Sequence, residues 1–323
     1  MIELPPCRFC GSEYYDDIDK YNKGFWCGDC DSYNYIHEED EDRRFYLIME
    51  SKDSKDTARR SIDRKFNKRL SPLRYPGGKS KVTDYLYTKL ISDKSKLLVS
   101  PYAGGASVEL ALLHAGVIEE LHLNDVDYGV YALFQIIKTN VNVLVDQIRS
   151  TVPTRQDYFK SQKIILSGYA NCSLEDAAWH MLVNNRLAFS GIYDAYPLGG
   201  KNGDSSRLLS RWIPEGLIKR IQTIHTMSDR IKVTNEDACE IIEEAYWGND
   251  TSILIDPPYY KKGQRLYRCS YNETDHLRLN MLLESLYSGF PGADMILCYD
   301  DEKYIEDLYV FPQIEKIRRT FSA

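Results

Sequence analysis

The chain has 323 residues, a hydrophobic fraction of 43% and a formal net charge of -7 at pH 7. That length buries one large core and leaves room for a smaller module. No apolar run approaches the roughly 20 residues of a membrane span, and Met1 to Pro6 has neither the basic nor the apolar part of a signal peptide, so a cytoplasmic protein without membrane contact is expected.

At the amino terminus stand two C-x-x-C pairs, Cys7-Arg8-Phe9-Cys10 and Cys27-Gly28-Asp29-Cys30. Each pair offers two thiolates from one tight turn, and two such turns close the tetrahedral sulfur site that zinc prefers. A zinc ribbon is therefore expected over residues 1–45, with a structural zinc on Cys7, Cys10, Cys27 and Cys30. So small a module gains its folding energy from the metal. Its tyrosines offer a surface for a protein partner. Residues 1–50 are acidic and residues 51–81 basic, and the basic stretch includes Arg59, Arg60, Arg64, Lys65, Lys68 and Arg69. Residues 46–70 read as a basic linker, either a phosphate contact or a solvated helix.

Next comes Arg74-Tyr75-Pro76-Gly77-Gly78-Lys79-Ser80. Its end looks like a phosphate loop but lacks the leading glycine and the apolar strand, which excludes nucleotide hydrolysis as the main reading. Leu97 to Ser100 is a strand, Pro101 to Ala106 a glycine turn, and Ser107 an N-cap for a helix over Val108 to Ala115, with Gly116 as terminator. A second strand, Leu121 to Asn124, ends at Asp125. A carboxylate there can accept both ribose hydroxyls of a nucleoside cofactor.

Residues 141–230 read as a mostly helical insertion whose loop, Tyr196 to Arg207, is polar and flexible. After the strand Ile231 to Thr234 stands Asp237. The apolar run Ile253-Leu254-Ile255 then spills into Asp256-Pro257-Pro258-Tyr259. In an open α/β sheet such strand ends bind ligands. A carboxylate, a prolyl carbonyl and an aromatic ring together can hold a planar base, accepting its two amino hydrogens and stacking on its face. Cys172, Cys239, Cys269 and Cys298 read as reduced thiols. Strands alternating with helical stretches predict a doubly wound α/β domain with a largely parallel sheet, built from residues 71–140 and 231–323.

These blocks, in this order, resemble the alpha group of DNA adenine-N6 methyltransferases, from about Ser71 to the end. Asn185-Arg186-Leu187-Ala188-Phe189-Ser190-Gly191, Lys262-Gly263 with Leu266-Tyr267, and Tyr299-Asp300-Asp301 add to the likeness. The resemblance implies a Rossmann-like methyltransferase domain, S-adenosylmethionine as cofactor, double-stranded DNA as partner and base flipping, with Arg186, Arg207 and Arg211 of the insertion as candidate DNA contacts. It implies cofactor contacts from Tyr75, Lys79, Tyr102, Gly104, Asp125, Asp237 and Asp256. Chemistry falls to Asp256, Pro257, Pro258 and Tyr259, whose ring would stack on the adenine. It also implies a further short strand after the present end, a place left to the ribbon or to a partner. Two other readings stay open: a DNA-binding component of a defence complex with little turnover, and an RNA adenine methylase.

Overall fold

The computed structural model describes residues 15–18, 24–27, 33–35, 44–51, 54, 62, 65–74, 77–90, 96–261 and 263–318. Strands β1 (Tyr15–Ile18), β2 (Gly24–Cys27) and β3 (Tyr33–Tyr35) pair antiparallel in chain order. The predicted zinc ligands Cys7, Cys10 and Cys30 lie outside the described residues, as does the side chain of Cys27. Among the described residues no group of three or more His, Cys, Asp or Glu is placed to hold a metal ion.

The rest of the chain runs β4 (Phe45–Ser51), α1 (Thr83–Leu90), β5 (Leu97–Ser100), α2 (Ser107–His114), β6 (Glu120–Asn124) and α3 (Tyr128–Thr139). The insertion follows with α4 (Val141–Ser150), α5 (Arg155–Leu166), α6 (Leu174–Leu187), α7 (Ser205–Leu208) and α8 (Pro214–His225). It returns through β7 (Ile231–Thr234), α9 (Ala238–Tyr246), β8 (Thr251–Ile255), α10 (Gly263–Leu266), α11 (Glu273–Ser288), β9 (Asp294–Asp300), α12 (Lys303–Leu308) and β10 (Gln313–Arg318). The seven strands from β4 onward form one sheet, ordered β10-β4-β9-β8-β5-β6-β7, with every pairing parallel.

Local chemistry explains most boundaries. Asp127 caps α3 by accepting from the Gly129 N–H at 2.9 Å, and Thr154 with Asp157 forms a capping box on α5. Helix α2 ends where Gly116, at φ +65°, donates to Leu113 O and Val117 to Leu112 O. This is the paired C-terminal closure that a left-handed glycine permits. The start of α2 differs from the prediction. Ser107 is its first helical residue, and the cap position falls on Ala106 in the left-handed region at φ 48° with no side-chain cap.

The largest departure is β4. The sequence places residues 46–70 in a linker, yet Phe45–Ser51 is an interior strand between β9 and β10, with Leu47 opposite Leu297 and Glu50 opposite Asp300. Alternate residues of β4 enter different cores. Phe45, Leu47 and Met49 join the one that packs α9 and α11, and Ile48 joins the one that packs α1, α2 and α3. A strand buried on both faces needs a continuous apolar run, and Phe45-Tyr46-Leu47-Ile48-Met49 is one.

The insertion is helical, as predicted, but shares its core with the sheet domain: Leu144, Leu182, Leu217 and Ile221 belong to the same cluster as Leu133 and Ile137 of α3. Its loop is held rather than loose. The Arg155 guanidinium donates to the carbonyls of Gly200, Gly203 (2.7 Å) and Asp204 (3.5 Å).

Candidate active site

In a parallel sheet all carboxyl ends lie on one edge, and three of them converge here. Asn124, fully buried at the end of β6, ties them together. Its amide donates to Pro101 O at 3.0 Å and Glu236 O at 3.1 Å, and its carbonyl accepts from Glu236 N at 2.9 Å and Thr234 Oγ1 at 2.8 Å. The next residue, Asp125, is thereby presented to the glycine turn, where it accepts from Gly104 N at 2.8 Å and Asp127 N at 2.9 Å. Burial, and next the neighbouring charge of Asp127, raise the Asp125 carboxyl to about 7. Asp127 is itself paired with Arg268 Nε at 2.9 Å.

A cavity of about 130 Å³ opens here, bounded by Tyr102 to Ser107, Asp125, Asp237, Asp256, Pro258 and Lys79. Glu109 closes its floor, bonded to Ser100 Oγ at 2.9 Å, and burial raises this carboxyl too to about 7. Asp237 caps α9 through Cys239 N at 2.9 Å and holds Arg278 with both oxygens, at 3.1 and 3.2 Å. Tyr102 and Tyr271 line one wall with hydroxyls 2.7 Å apart. Tyr75 lies outside the described residues.

Opposite Asp125 stands a buried charge cluster. Lys79 Nζ lies 2.6 Å from Asp256 Oδ1, 3.3 Å from Glu50 Oε1 and 2.9 Å from the Tyr259 hydroxyl. Burial alone would lower the lysine's pKa, but Asp256 and Glu50 outweigh it and hold the ammonium well above its ordinary value. Gly77, at φ +79°, has no Cβ, which leaves room for the Tyr259 and Tyr267 hydroxyls beside this cluster. One built there would meet Tyr267 Oη at 2.5 Å.

The same cluster gives Tyr259 an unexpected setting. Stacking on a base requires an open ring face, whereas this ring is 1% exposed, with Lys79 Nζ 4.9 Å from its centroid and Tyr267 edge-on at 6.2 Å. Its hydroxyl also donates to Glu50 Oε2 at 3.3 Å. Pro257 is buried and Pro258 borders the cavity.

The insertion reaches this edge through Asn185. Its side chain accepts from Arg74 N at 2.7 Å and donates to Arg74 O at 3.1 Å. Gly191 allows the contact, since a Cβ there would lie 2.0 Å from Arg74 O. Of the predicted DNA contacts, Arg207 is exposed and faces Asp204 at 3.8 Å. Arg186 is 6% exposed and donates to Arg211 O from Nε (3.1 Å) and Nη2 (2.6 Å). Burial, then the charges of Arg220, Arg74 and Arg211, lowers its pKa to about 10. Arg186 is thus the buried prop of an arginine cluster rather than a free surface contact. Arg211 Nη1 is buried with no hydrogen-bond partner among the described residues.

Sequence reasoning passed over Glu50, Glu109, Arg268 and Tyr271. Only Glu50 carried a usable signal, an acid ending the apolar run of β4. The matching family model is that of the D12 class N6 adenine-specific DNA methyltransferases, over residues 75–322. No curated protein matches the chain.

Proposed function

Because the chain belongs to the D12 class of N6 adenine-specific DNA methyltransferases, we propose that it moves a methyl group from S-adenosylmethionine to N6 of an adenine swung out of double-stranded DNA. One observation carries this reading. Asp256, at the end of β8, lines the same cavity as Asp125 and the glycine turn, so an acceptor for a base amino group and an acceptor for ribose hydroxyls border one space.

The cavity suits the cofactor by its donor set. Asp125 takes the ribose hydroxyls, the Gly104 turn lets the ligand approach the backbone, and Asp237 faces the adenine end. S-adenosylmethionine supplies an activated methyl group. Asp256 and the Pro257 carbonyl accept the two N6 hydrogens, which draws the nitrogen lone pair out of conjugation and aims it at that methyl. Asp256 would take the one proton that N6 gives up on receiving the methyl group. Bringing the base out of the duplex costs a few kcal/mol. Arg74, Arg211 and Arg220, propped by Arg186, attract the phosphates that compensate for it. Arg69, whose charge acts on Arg220, extends the same positive potential.

Product analysis tests the reading. DNA incubated with the purified protein and S-adenosylmethionine, then digested and run by mass spectrometry, should contain N6-methyladenine, and Asp256→Ala should remove it while the fold survives. N4-methylcytosine, or transfer that outlives Asp256→Ala, refutes it. The cysteine spacing further supports one zinc per chain on Cys7, Cys10, Cys27 and Cys30. Metal analysis finding no zinc, or full zinc in Cys27→Ser, rejects that.

A further inference from the structure

Lys79 faces two carboxylates from different parts of the chain. Asp256 follows β8 inside the family match, whereas Glu50 lies on β4, 25 residues before that match begins (75 − 50). Glu50 is 2% exposed and Lys79 5% exposed, so water screens neither well. The Tyr259 hydroxyl bridges the two, accepting from Lys79 at 2.9 Å and donating to Glu50 at 3.3 Å. Among the described residues, Cys298 on β9 and Tyr267 after α10 also face the ammonium.

This arrangement resists the methyl transfer assigned to Asp256. A carboxylate gripped by an ammonium at 2.6 Å is a weakened acceptor for an amino group. A lysine with no other partner stays on it, because leaving strands a buried charge. Glu50 removes that penalty, since a second carboxylate already stands 3.3 Å from the same nitrogen. A small swing of Nζ trades one partner for the other without exposing either charge.

We infer that Glu50 is a positioning residue for methyl transfer, keeping Lys79 as an ammonium and receiving it when Asp256 turns to the adenine amino group. The inference rests on the proposed role of Asp256. It gives β4 a part in the active site as well as in the sheet. Glu50 touches neither base nor cofactor in this scheme, so it acts on turnover rather than on cofactor affinity.

The test compares wild type, Glu50→Gln and Glu50→Asp for S-adenosylmethionine binding by calorimetry, for kcat and KM of methyl transfer to DNA, and for unfolding temperature between pH 8 and 11. Glu50→Gln should bind the cofactor within about threefold of wild type and lose at least about tenfold in kcat. The alkaline limb of its rate should fall by about one pH unit or more, because a buried lysine deprived of a carboxylate titrates lower. Its unfolding temperature should lose less than that of wild type as pH climbs past the ordinary lysine value of 10.5, because the folded state then holds the Lys79 proton less tightly. Glu50→Asp keeps the charge but withdraws it by one methylene, so its alkaline limb should stay in place while kcat is reduced. Should Glu50→Gln not fold, Glu50→Asp decides: a kcat equal to wild type overturns the inference. Equal kcat and equal alkaline behaviour in a folded Glu50→Gln also overturn it. Absence of N6-methyladenine from the wild-type reaction counts against the proposed function instead, and the alkaline unfolding comparison still reads whether Glu50 holds Lys79.

Discussion

Asp125 and Tyr259 show how one residue's surroundings set its chemistry. The Asp125 carboxyl, raised to about 7, ionises within the neutral range. Ribose hydroxyls donate to the ionised form, so binding favours proton loss and affinity for S-adenosylmethionine should rise with pH from about 6 to 8. Calorimetry across that range should show the rise in wild type and a flat profile in Asp125→Asn. Asp125→Ala should weaken binding about tenfold or more, the worth of one charge-assisted hydrogen bond. Tyr259 adds a role for its hydroxyl. A ring face that stacks on the adenine makes Tyr259→Phe milder than Tyr259→Ala. In the structure the hydroxyl meets Lys79, Glu50 and the Gly77 carbonyl (3.4 Å) in a buried place. Tyr259→Phe should therefore cost about 1–3 kcal/mol of stability, the penalty for leaving buried polar groups short of a partner. Chemical denaturation reads this directly, and a variant as stable as wild type would return the hydroxyl to a minor role.

Among the elements, β4 shows where a domain boundary drawn from sequence misleads. A boundary at residue 71 predicts that 71–323 folds alone. With β4 removed, β9 and β10 lose their shared neighbour, and Phe45, Leu47 and Met49 leave a core that also holds Leu279, Leu283 and Leu297. A fragment of residues 44–323 should unfold cooperatively, and one of residues 71–323 should not. Circular dichroism with thermal melting distinguishes them. Within the longer fragment, Leu47→Ala should cost about 2–5 kcal/mol, as large-to-small changes in a closed core do. The arginine cluster answers to another measure. Replacing Arg74 and Arg220 with Ser should lower the slope of log affinity for DNA against log salt by roughly two, one for each phosphate that is no longer neutralised. An unchanged slope would make them scaffolding for the insertion.

At the scale of the whole molecule, stability and the site draw on the same buried acids. Glu109 has an ordinary carboxyl value of 4.5 when exposed and about 7 in the fold. Between those pH values the unfolded chain gives up its proton first, so the folded state loses stability as pH rises from about 4.5 to about 7 and then levels off. The shift is worth on the order of 3 kcal/mol. Glu109→Gln, which preserves a partner for Ser100, should be more stable than wild type at pH 8 and nearly equal at pH 4.5, as urea titrations at the two pH values would report. The placement of the strand ends was legible in the residues alone. Apolar runs stopping at Asp125 and Asp256, with a glycine turn after Leu97–Ser100, are local patterns, and a parallel sheet must bring such ends to one edge. Helical stretches at 127–139, 237–246 and 274–288 can be read for the same reason, since caps and apolar spacing act within a few residues, and the structure has helices at Tyr128–Thr139, Ala238–Tyr246 and Glu273–Ser288. Other features were settled only on folding, because they depend on partners far away along the chain. Tyr259 meets Glu50 across 209 positions and Asn185 holds Arg74 across 111. Whether β4 is linker or core, whether Arg186 is contact or prop, and which way Tyr259 turns all follow from burial and charge balance among segments that no short window contains.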